Sequence, residues 1–313
     1  MARIGFIGCH EISWHCLKKI SELSQKFNDE VSIVFNLSKD KGLNHSAYVD
    51  FDSLQAQYNF ELNYVSNVTD SESIELLSSK QLDILFIIGW HKIVPQSVLD
   101  TAKIKLGIHS SLLPKNRGSS PINWQIINGD SVGGATLFHL TPEVDAGSIV
   151  DQESFSIDHH DDVSTIYSKA ILSSLKLLEK NWNDIHELSP KNFPQNENEV
   201  TTNPRRKPED GLIDWTSSSD QCYNWIRALT HPYPGAFTYW KNKKLTIWSS
   251  KLSEIPHTFP GEIILQDNKI FISTQKNCLE IISLQIENEP ICNAKLFVDS
   301  YGLKSHEFCI NSN

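Results

Sequence analysis

Through the first half of the chain, short and fully apolar runs alternate with stretches whose apolar residues recur at helical spacing. Residues 3–8 (RIGFIG), 31–37 (VSIVFNL), 61–65, 84–88 (ILFII) and 105–109 read as strands. Residues 12–23, 48–57, 71–79 and a brief 95–102 read as helices. Strands this continuously apolar belong to a sheet covered on both faces, and strand–helix alternation makes that sheet parallel. The expected architecture is an α/β domain with a doubly wound, Rossmann-like parallel sheet. Residues 121–128 continue the pattern as a helix, and 134–140 and 148–157 as strands. A long amphipathic helix follows over 162–180, with Val163, Ile166, Ala170, Ile171, Leu175 and Leu178 on its apolar side. Asp161 or Asp162 is placed to cap it.

The pattern breaks at 189–211 (SPKNFPQNENEVTTNPRRKPEDG), where Pro, Asn and Glu replace apolar residues. Such a run reads as a linker. Beyond it, 218–230 suits a helix, and short alternating strands follow at 236–240, 244–249, 262–265, 270–273 and 279–285. Turn residues separate them at 241–242 and 266–268. Evenly spaced short strands predict a small, OB-like β-barrel. The expected domains are therefore 1–188, a linker at 189–211, and 212–313. A length of 313 residues agrees with two domains.

The formal net charge of -10 provides no global attraction to phosphate backbones or anionic lipid, so nucleic acid and membrane are disfavoured as partners. Six cysteines (Cys9, Cys16, Cys222, Cys278, Cys292 and Cys309) show neither CxxC pairs nor zinc-like spacing. Reduced thiols, the lack of a signal-peptide pattern in MARIGFIG and apolar runs too short for a bilayer make a soluble, cytoplasmic protein the expectation.

Ligands of open α/β sheets bind beyond the carboxyl ends of the strands. Gly89-Trp90-His91-Lys92, His109-Ser110-Ser111 and Glu143-Val144-Asp145-Ala146-Gly147 arrive there. A single His at a strand end is more often structural than catalytic, and a lone Asp before Gly is usually a turn residue. Gly5-Phe-Ile-Gly8 lacks the third glycine of a dinucleotide fingerprint, and no acidic residue stands at the end of the second strand. Asp158-His-His-Asp-Asp162 reads as a polar turn with a helix cap, and not as a metal site.

Taken together, the segments say more. His109-Ser-Ser-Leu-Leu-Pro114-Lys-Asn-Arg117-Gly118, then Pro121-Ile-Asn-Trp-Gln-Ile-Ile-Asn128-Gly129, then Asp145-Ala-Gly147, resemble in order and spacing the formyltransferase family that uses 10-formyl-tetrahydrofolate. Asn203-Pro-Arg-Arg-Lys-Pro-Glu-Asp-Gly-Leu-Ile-Asp-Trp215 and the 226–237 stretch resemble the second-domain signature of its longer members. The likeness weakens after Trp248.

The resemblance implies attack of a neutral amine on a formyl carbon through a tetrahedral, oxyanion-bearing intermediate. That reaction needs donors aimed at the oxyanion and a route for the amine proton. It assigns these roles to His109 and Asp145, with no metal. It also implies that the folate co-substrate lies against Ile87, Ile88, Gly89, Trp90, His139, Glu143 and Val144, although Trp90 reads equally as a hydrophobic plug. Ser110, Ser111, Leu112 and Arg117 are the implied substrate-side residues. One position departs from the family. An asparagine two residues before the histidine usually contributes an amide donor, and this chain has Gly107. A backbone N–H, a water or Ser110 is left to substitute, so the site reads as a variant.

Two amines compete. Methionyl-tRNA formyltransferases share the length and plan, but the resemblance implies a basic insertion after their second strand. Here 38–48 (SKDKGLNHSAY) holds two lysines beside an aspartate, too little for an RNA stem. Arg205-Arg-Lys-Pro-Glu-Asp-Gly and the 237–250 stretch look more like UDP-4-amino-arabinose formyltransferase, which favours a nucleotide-linked amino sugar. A catalytically silent folate or nucleotide-sugar binding module, suggested by Gly107, is the reading from another class. The second domain is a candidate for homodimer formation or substrate binding.

Overall fold

A computed structural model describes residues 1–43 and 45–310. In chain order the first elements are β1 (Arg3–Ile7), α1 (Glu11–Phe27), β2 (Glu30–Leu37), α2 (Lys39–Gly42), α3 (Asp52–Gln57), β3 (Glu61–Val65), α4 (Ser71–Ser79) and β4 (Leu82–Ile88). Next come α5 (Gln96–Leu99), β5 (Ala102–His109), β6 (Arg117–Gly118), α6 (Pro121–Ile127), β7 (Val132–His139), β8 (Ile149–Ser156), α7 (Val163–His186) and β9 (Thr202–Asn203). The remainder is α8 (Ser219–Leu229), β10 (Ala236–Trp240), β11 (Lys243–Leu252), β12 (Ile263–Gln266), β13 (Lys269–Ser273), β14 (Cys278–Ile286), β15 (Cys292–Asn293) and α9 (Ala294–Tyr301). Two compact units divide the chain. One takes Met1–Pro121, Val132–Ser156 and Ser168–Pro204; the other takes Ile122–Ser131, Ile157–Tyr167 and the residues from Arg205 onward.

The first unit is built on a seven-stranded sheet in the order β3-β2-β1-β4-β5-β7-β8. Its first five strands are parallel, as their unbroken apolar runs predict. Ile4, Phe6, Ile33, Phe35, Ile84 and Phe86 are fully buried, each contributing roughly 1.5–3 kcal/mol of apolar transfer. The sheet is not wholly parallel, however. β7 runs antiparallel to both β5 and β8. The 140–148 connection between β7 and β8 is too short for the crossover that parallel neighbours require.

Helix α1 buries Ile12, Cys16, Leu17, Ile20 and Leu23, and Asn28 ends it in the left-handed conformation (φ 60). His10 stands at its N-cap, with its N–H donating to Ser13 Oγ at 3.1 Å. Burial and the neighbouring His45 imidazole push the His10 pKa from 6.5 down to about 4. The unfolded chain takes up a proton near pH 6.5 that the folded chain refuses until about pH 4. Stability is therefore level above that window and falls as pH drops through it, by up to about 3 kcal/mol. Urea unfolding at stepped pH checks this, and His10→Gln is expected to flatten the profile.

The polar run after α7 lies along the first unit by backbone pairing. Phe193 exchanges hydrogen bonds with Ile149 (2.7 and 2.9 Å), and β9 pairs with β6. In the second unit, α8 starts at a Ser218–Gln221 capping box. An antiparallel sheet runs β10-β11-β14-β13-β12, with β15 against β14. Its hairpins turn through Lys241–Asn242 and Asp267–Asn268, all four residues at positive φ, which suits two-residue primed turns. Residues near the chain end bridge the two outer strands, Ile310 to Tyr239 and Phe308 to Glu262. Helix α9 has no counterpart in the sequence reading. It buries Ala294 and Phe297 and takes its cap from Asn293, whose side chain accepts from Leu296 N at 2.9 Å. No helix among the described residues is long and apolar enough to cross a membrane.

Candidate active site

Strand β5 is flanked by β4 and β7, which carries His109 to the carboxyl end of the sheet's parallel strands beside Thr136. The residue is only 9% exposed. Its Nε2 lies 2.7 Å from the main-chain carbonyl oxygen of Asn116. A carbonyl can only accept, so Nε2 carries a hydrogen, and in the neutral imidazole the lone pair belongs to Nδ1. Nδ1 faces Asp145 Oδ2 at 3.6 Å. That distance is too long for a direct hydrogen bond but within ion-pair reach for a protonated ring.

The 110–118 loop that presents Asn116 is held by its own polar groups. Ser111 Oγ donates to Lys115 O at 2.6 Å, and Lys115 N donates to Leu112 O at 3.0 Å. Thr136 Oγ1 accepts from Leu113 N and donates to Ser111 O, while Gln152 Nε2 donates to Leu113 O. Asn116 sits at φ 60; its N–H goes to Thr201 Oγ1 and its Oδ1 accepts from Asn203 Nδ2, both at 2.8 Å. A loop with so many satisfied groups holds the carbonyl under His109 in one place.

Asp145 also has a left-handed backbone, at φ 52. Its Oδ2 accepts from Gly118 N at 2.8 Å. Two residues on, a Cβ at Gly147 would sit 1.6 Å from His139 O, so only glycine allows the loop this close to β7. Gln195 Nε2 donates to the carbonyls of both Asp145 and Gly147 at 2.7 Å. The Arg117 guanidinium is buried and committed to Gln195 Oε1 and Glu197. The sequence singles out His109 and Asp145 as candidates and includes Gly118 in their motif, but carries no signal for Asn116, Thr201 and Gln195 around them. Asn116 contributes mainly through backbone groups, Thr201 through its hydroxyl and carbonyl, and Thr201 and Gln195 both lie inside a run whose composition reads as a linker.

The remaining sequence candidates have varied surroundings. Ile87 and Ile88 are buried in the sheet; Gly89 is at φ 62, and its carbonyl accepts from Cys9 N at 3.2 Å. Trp90 packs with Leu140 against the cluster containing Ile7, Phe35 and Val98. Glu143 and Val144 are exposed at the loop tip, while Ser110 and Leu112 are half-buried. Ser111 and Arg117 spend their polar atoms inside the chain, as described above. His139 Nε2 meets Lys191 O at 2.9 Å and helps line a 440 Å³ cavity with Lys103, Lys105, Thr141 and Asn192. That cavity includes neither His109 nor Asp145. Among the described residues no His, Cys, Asp and Glu side chains are grouped to hold a metal. Asp162 caps the start of α7 by accepting from Thr165 N at 2.9 Å. In the second unit, the Arg206 guanidinium of the RRKP string lies over Trp225 at 4.5 Å and Trp124 at 5.2 Å, a structural clamp.

Residues 7–178 match the formyl transferase family model, and residues 205–302 match that of the formyl transferase C-terminal domain. The bifunctional polymyxin resistance protein ArnA of Wigglesworthia glossinidia brevipalpis is 33% identical over 99% of this chain, which spans 45% of that relative's length. A methionyl-tRNA formyltransferase of Thermodesulfovibrio yellowstonii is 28% identical over 94% of both chains. Among solved structures, an N-formyltransferase from Helicobacter canadensis, in complex with folinic acid and dTDP-3-aminofucose, superposes with a TM-score of 0.68. It is 20% identical and covers 90% of this chain and 98% of its own. The model for the sheet domain alone takes in β5, the His109 loop and Asp145, more than half of the sequence, and on that ground the chain belongs to the formyl transferase family.

Proposed function

We propose that the protein transfers a formyl group from 10-formyl-tetrahydrofolate to the primary amine of a nucleotide-linked amino sugar, with His109 and Asp145 at the reacting centre. The observation that carries this reading is the buried imidazole with Nε2 fixed on Asn116 O and Nδ1 facing Asp145 Oδ2 at 3.6 Å. As imidazolium, His109 offers Nδ1–H to the oxyanion that forms when the amine attacks the formyl carbon. Asp145 favours that charged form and draws a proton from the substituted ammonium, directly or through water. Breakage of the bond to the folate nitrogen regenerates the carbonyl, and that nitrogen leaves with a proton delivered by His109. The folate is proposed to lie along Ile87–Trp90 and the 139–145 loop.

An amino sugar is favoured by the dTDP-3-aminofucose in the Helicobacter complex. The methionyl-tRNA reading has support in a relative that matches over 94% of both lengths. Against it stands the 38–48 stretch, where Lys39 is paired with Asp50 and Asp52 and not left to meet phosphates; Asn44 in this stretch lies outside the described residues. We read the second unit as a closed OB-like barrel, supported by the Ile310–Tyr239 and Phe308–Glu262 bridges. We propose a catalytic domain, a connector from residue 189 and a second domain from residue 212; the C-terminal family match begins at 205, inside that connector. Six free thiols suit a reducing cytoplasm.

The test is turnover of 10-formyl-tetrahydrofolate with a panel of nucleotide-linked amino sugars and with charged initiator tRNA, read by mass of the N-formyl product. A formylated sugar nucleotide is expected. Formylated tRNA alone would replace the substrate, and tight binding of both small molecules without turnover would make the chain a binding module.

A further inference from the structure

We propose that Gln195 is the positioning residue that holds Asp145 in register with His109. The inference rests on the functional reading above, but its geometry does not.

The Gln195 side chain uses its full hydrogen-bonding capacity. Its amide nitrogen donates to Asp145 O and Gly147 O, both at 2.7 Å. Its carbonyl accepts from Arg117 Nε at 3.1 Å and Arg117 Nη2 at 2.8 Å. Two carbonyls on one side and a guanidinium on the other fix the amide's orientation, because a flipped amide would oppose acceptor to acceptor and donor to donor. Arg117 is fixed in turn by Glu197, with Nη2 to Oε1 at 2.7 Å. Its own N–H is bonded to Thr201 O at 2.9 Å.

This network answers a specific need. Asp145 at φ 52 is in a left-handed backbone region that disfavours non-glycine residues and persists where surroundings enforce it. Gln195 grips the main chain at that residue and again at Gly147, while Gly118 N, next to Arg117, holds the carboxylate at 2.8 Å. Backbone and side chain of Asp145 are thereby tied to the same Arg117–Gly118 strand. Gln195 acts through Asp145, since all its polar atoms are already engaged.

The experiment uses the intact protein with Gln195→Met, which matches the side chain's length without its donors or acceptor. In amide hydrogen exchange, Gly118 N–H is expected to exchange at least about tenfold faster, because its acceptor is no longer held. Arg117 N–H, bonded to Thr201 O, stays protected and serves as the internal control. In turnover, kcat is expected to fall about 10–100-fold with KM for the folate within about twofold. Unchanged Gly118 exchange in a folded variant, or equal loss of protection at Arg117, would overturn the proposal. Should Gln195→Met fail to fold, Gln195→Glu keeps the acceptor for Arg117 and sets a carboxylate oxygen against the Asp145 and Gly147 carbonyls in place of the donors; wild-type kcat in that variant would also overturn it. Exchange requires no turnover, so an inactive wild-type protein would sink the functional reading while leaving the Gln195 result interpretable.

Discussion

His109→Ala is expected to lower kcat by about three to four orders of magnitude while the protein remains folded. The imidazole is asked to provide both a donor to the oxyanion, worth about 10²–10³ in rate, and proton transfer, worth about 10²–10⁴. The two do not add in full, because one ring performs both. A structural cost accompanies the change. The Asn116 carbonyl loses its 2.7 Å partner in a buried position, at roughly 1–3 kcal/mol if water does not replace it. Circular dichroism melts separate that cost from catalysis, and single-turnover formyl transfer reads the chemical step. Asp145→Asn keeps an oxygen for Gly118 N but removes the charge that supports imidazolium, so its effect should be smaller than that of His109→Ala. A His109→Ala variant within about tenfold of wild-type kcat would remove the imidazole from the reaction.

The elements that position this pair were legible wherever one periodicity ruled. β3, α4 and β10 begin and end where their apolar pattern predicts, at Glu61–Val65, Ser71–Ser79 and Ala236–Trp240. Longer elements overran their apolar stretch. β11 extends to Leu252 because backbone pairing continues past its last buried side chain, Ile247, and α7 extends to His186 because Trp182 and Ile185 add a further buried turn. The antiparallel run of β7 against β5 was not legible, since their 110–131 connection, which contains α6, is long enough to join the strands in either direction. Helix α9 escaped notice because only Ala294 and Phe297 of its eight residues are buried. At the site, the motif residues His109 and Asp145 were identifiable from residue type and order. Their supports were not: Gly118 acts through its main-chain N–H, Thr201 Oγ1 reaches Asn116 from eighty-five positions away, and Gln195 reaches Asp145 from fifty. Composition marks 189–211 as polar, yet pairing of Phe193 with Ile149 and of β9 with β6 orders much of it. Amide and backbone hydrogen bonds take the place of apolar burial there, a substitution that hydrophobic patterning does not register.

Gly107→Asn combined with Leu140→Ala is expected to raise kcat, by up to about 10²-fold if no other group now stabilises the oxyanion. Residues two apart on a strand share a face, so a side chain at 107 would project from β5 on the same side as His109. A Cβ placed on Gly107 meets Leu140 Cδ2 at 2.7 Å, Ile87 O at 3.2 Å and Phe138 Cε1 at 3.2 Å. The Leu140 contact is the obstructing one, and it is the movable end of a half-buried side chain, whereas the Ile87 carbonyl is locked in the β4–β5 ladder. Gly107→Asn alone therefore overpacks the strand, with an expected cost of about 1–3 kcal/mol and no gain in rate. Shortening Leu140 opens the space, at some loss of packing against the buried cluster that contains Ile7, Phe35 and Val98. Comparing kcat across wild type, the two single variants and the double variant isolates the coupling between positions 107 and 140. A positive coupling confined to kcat would show that this chain runs the reaction one donor short. A double variant no faster than Leu140→Ala would mean that another donor already fills that role, and the amide restored at 107 would then be redundant.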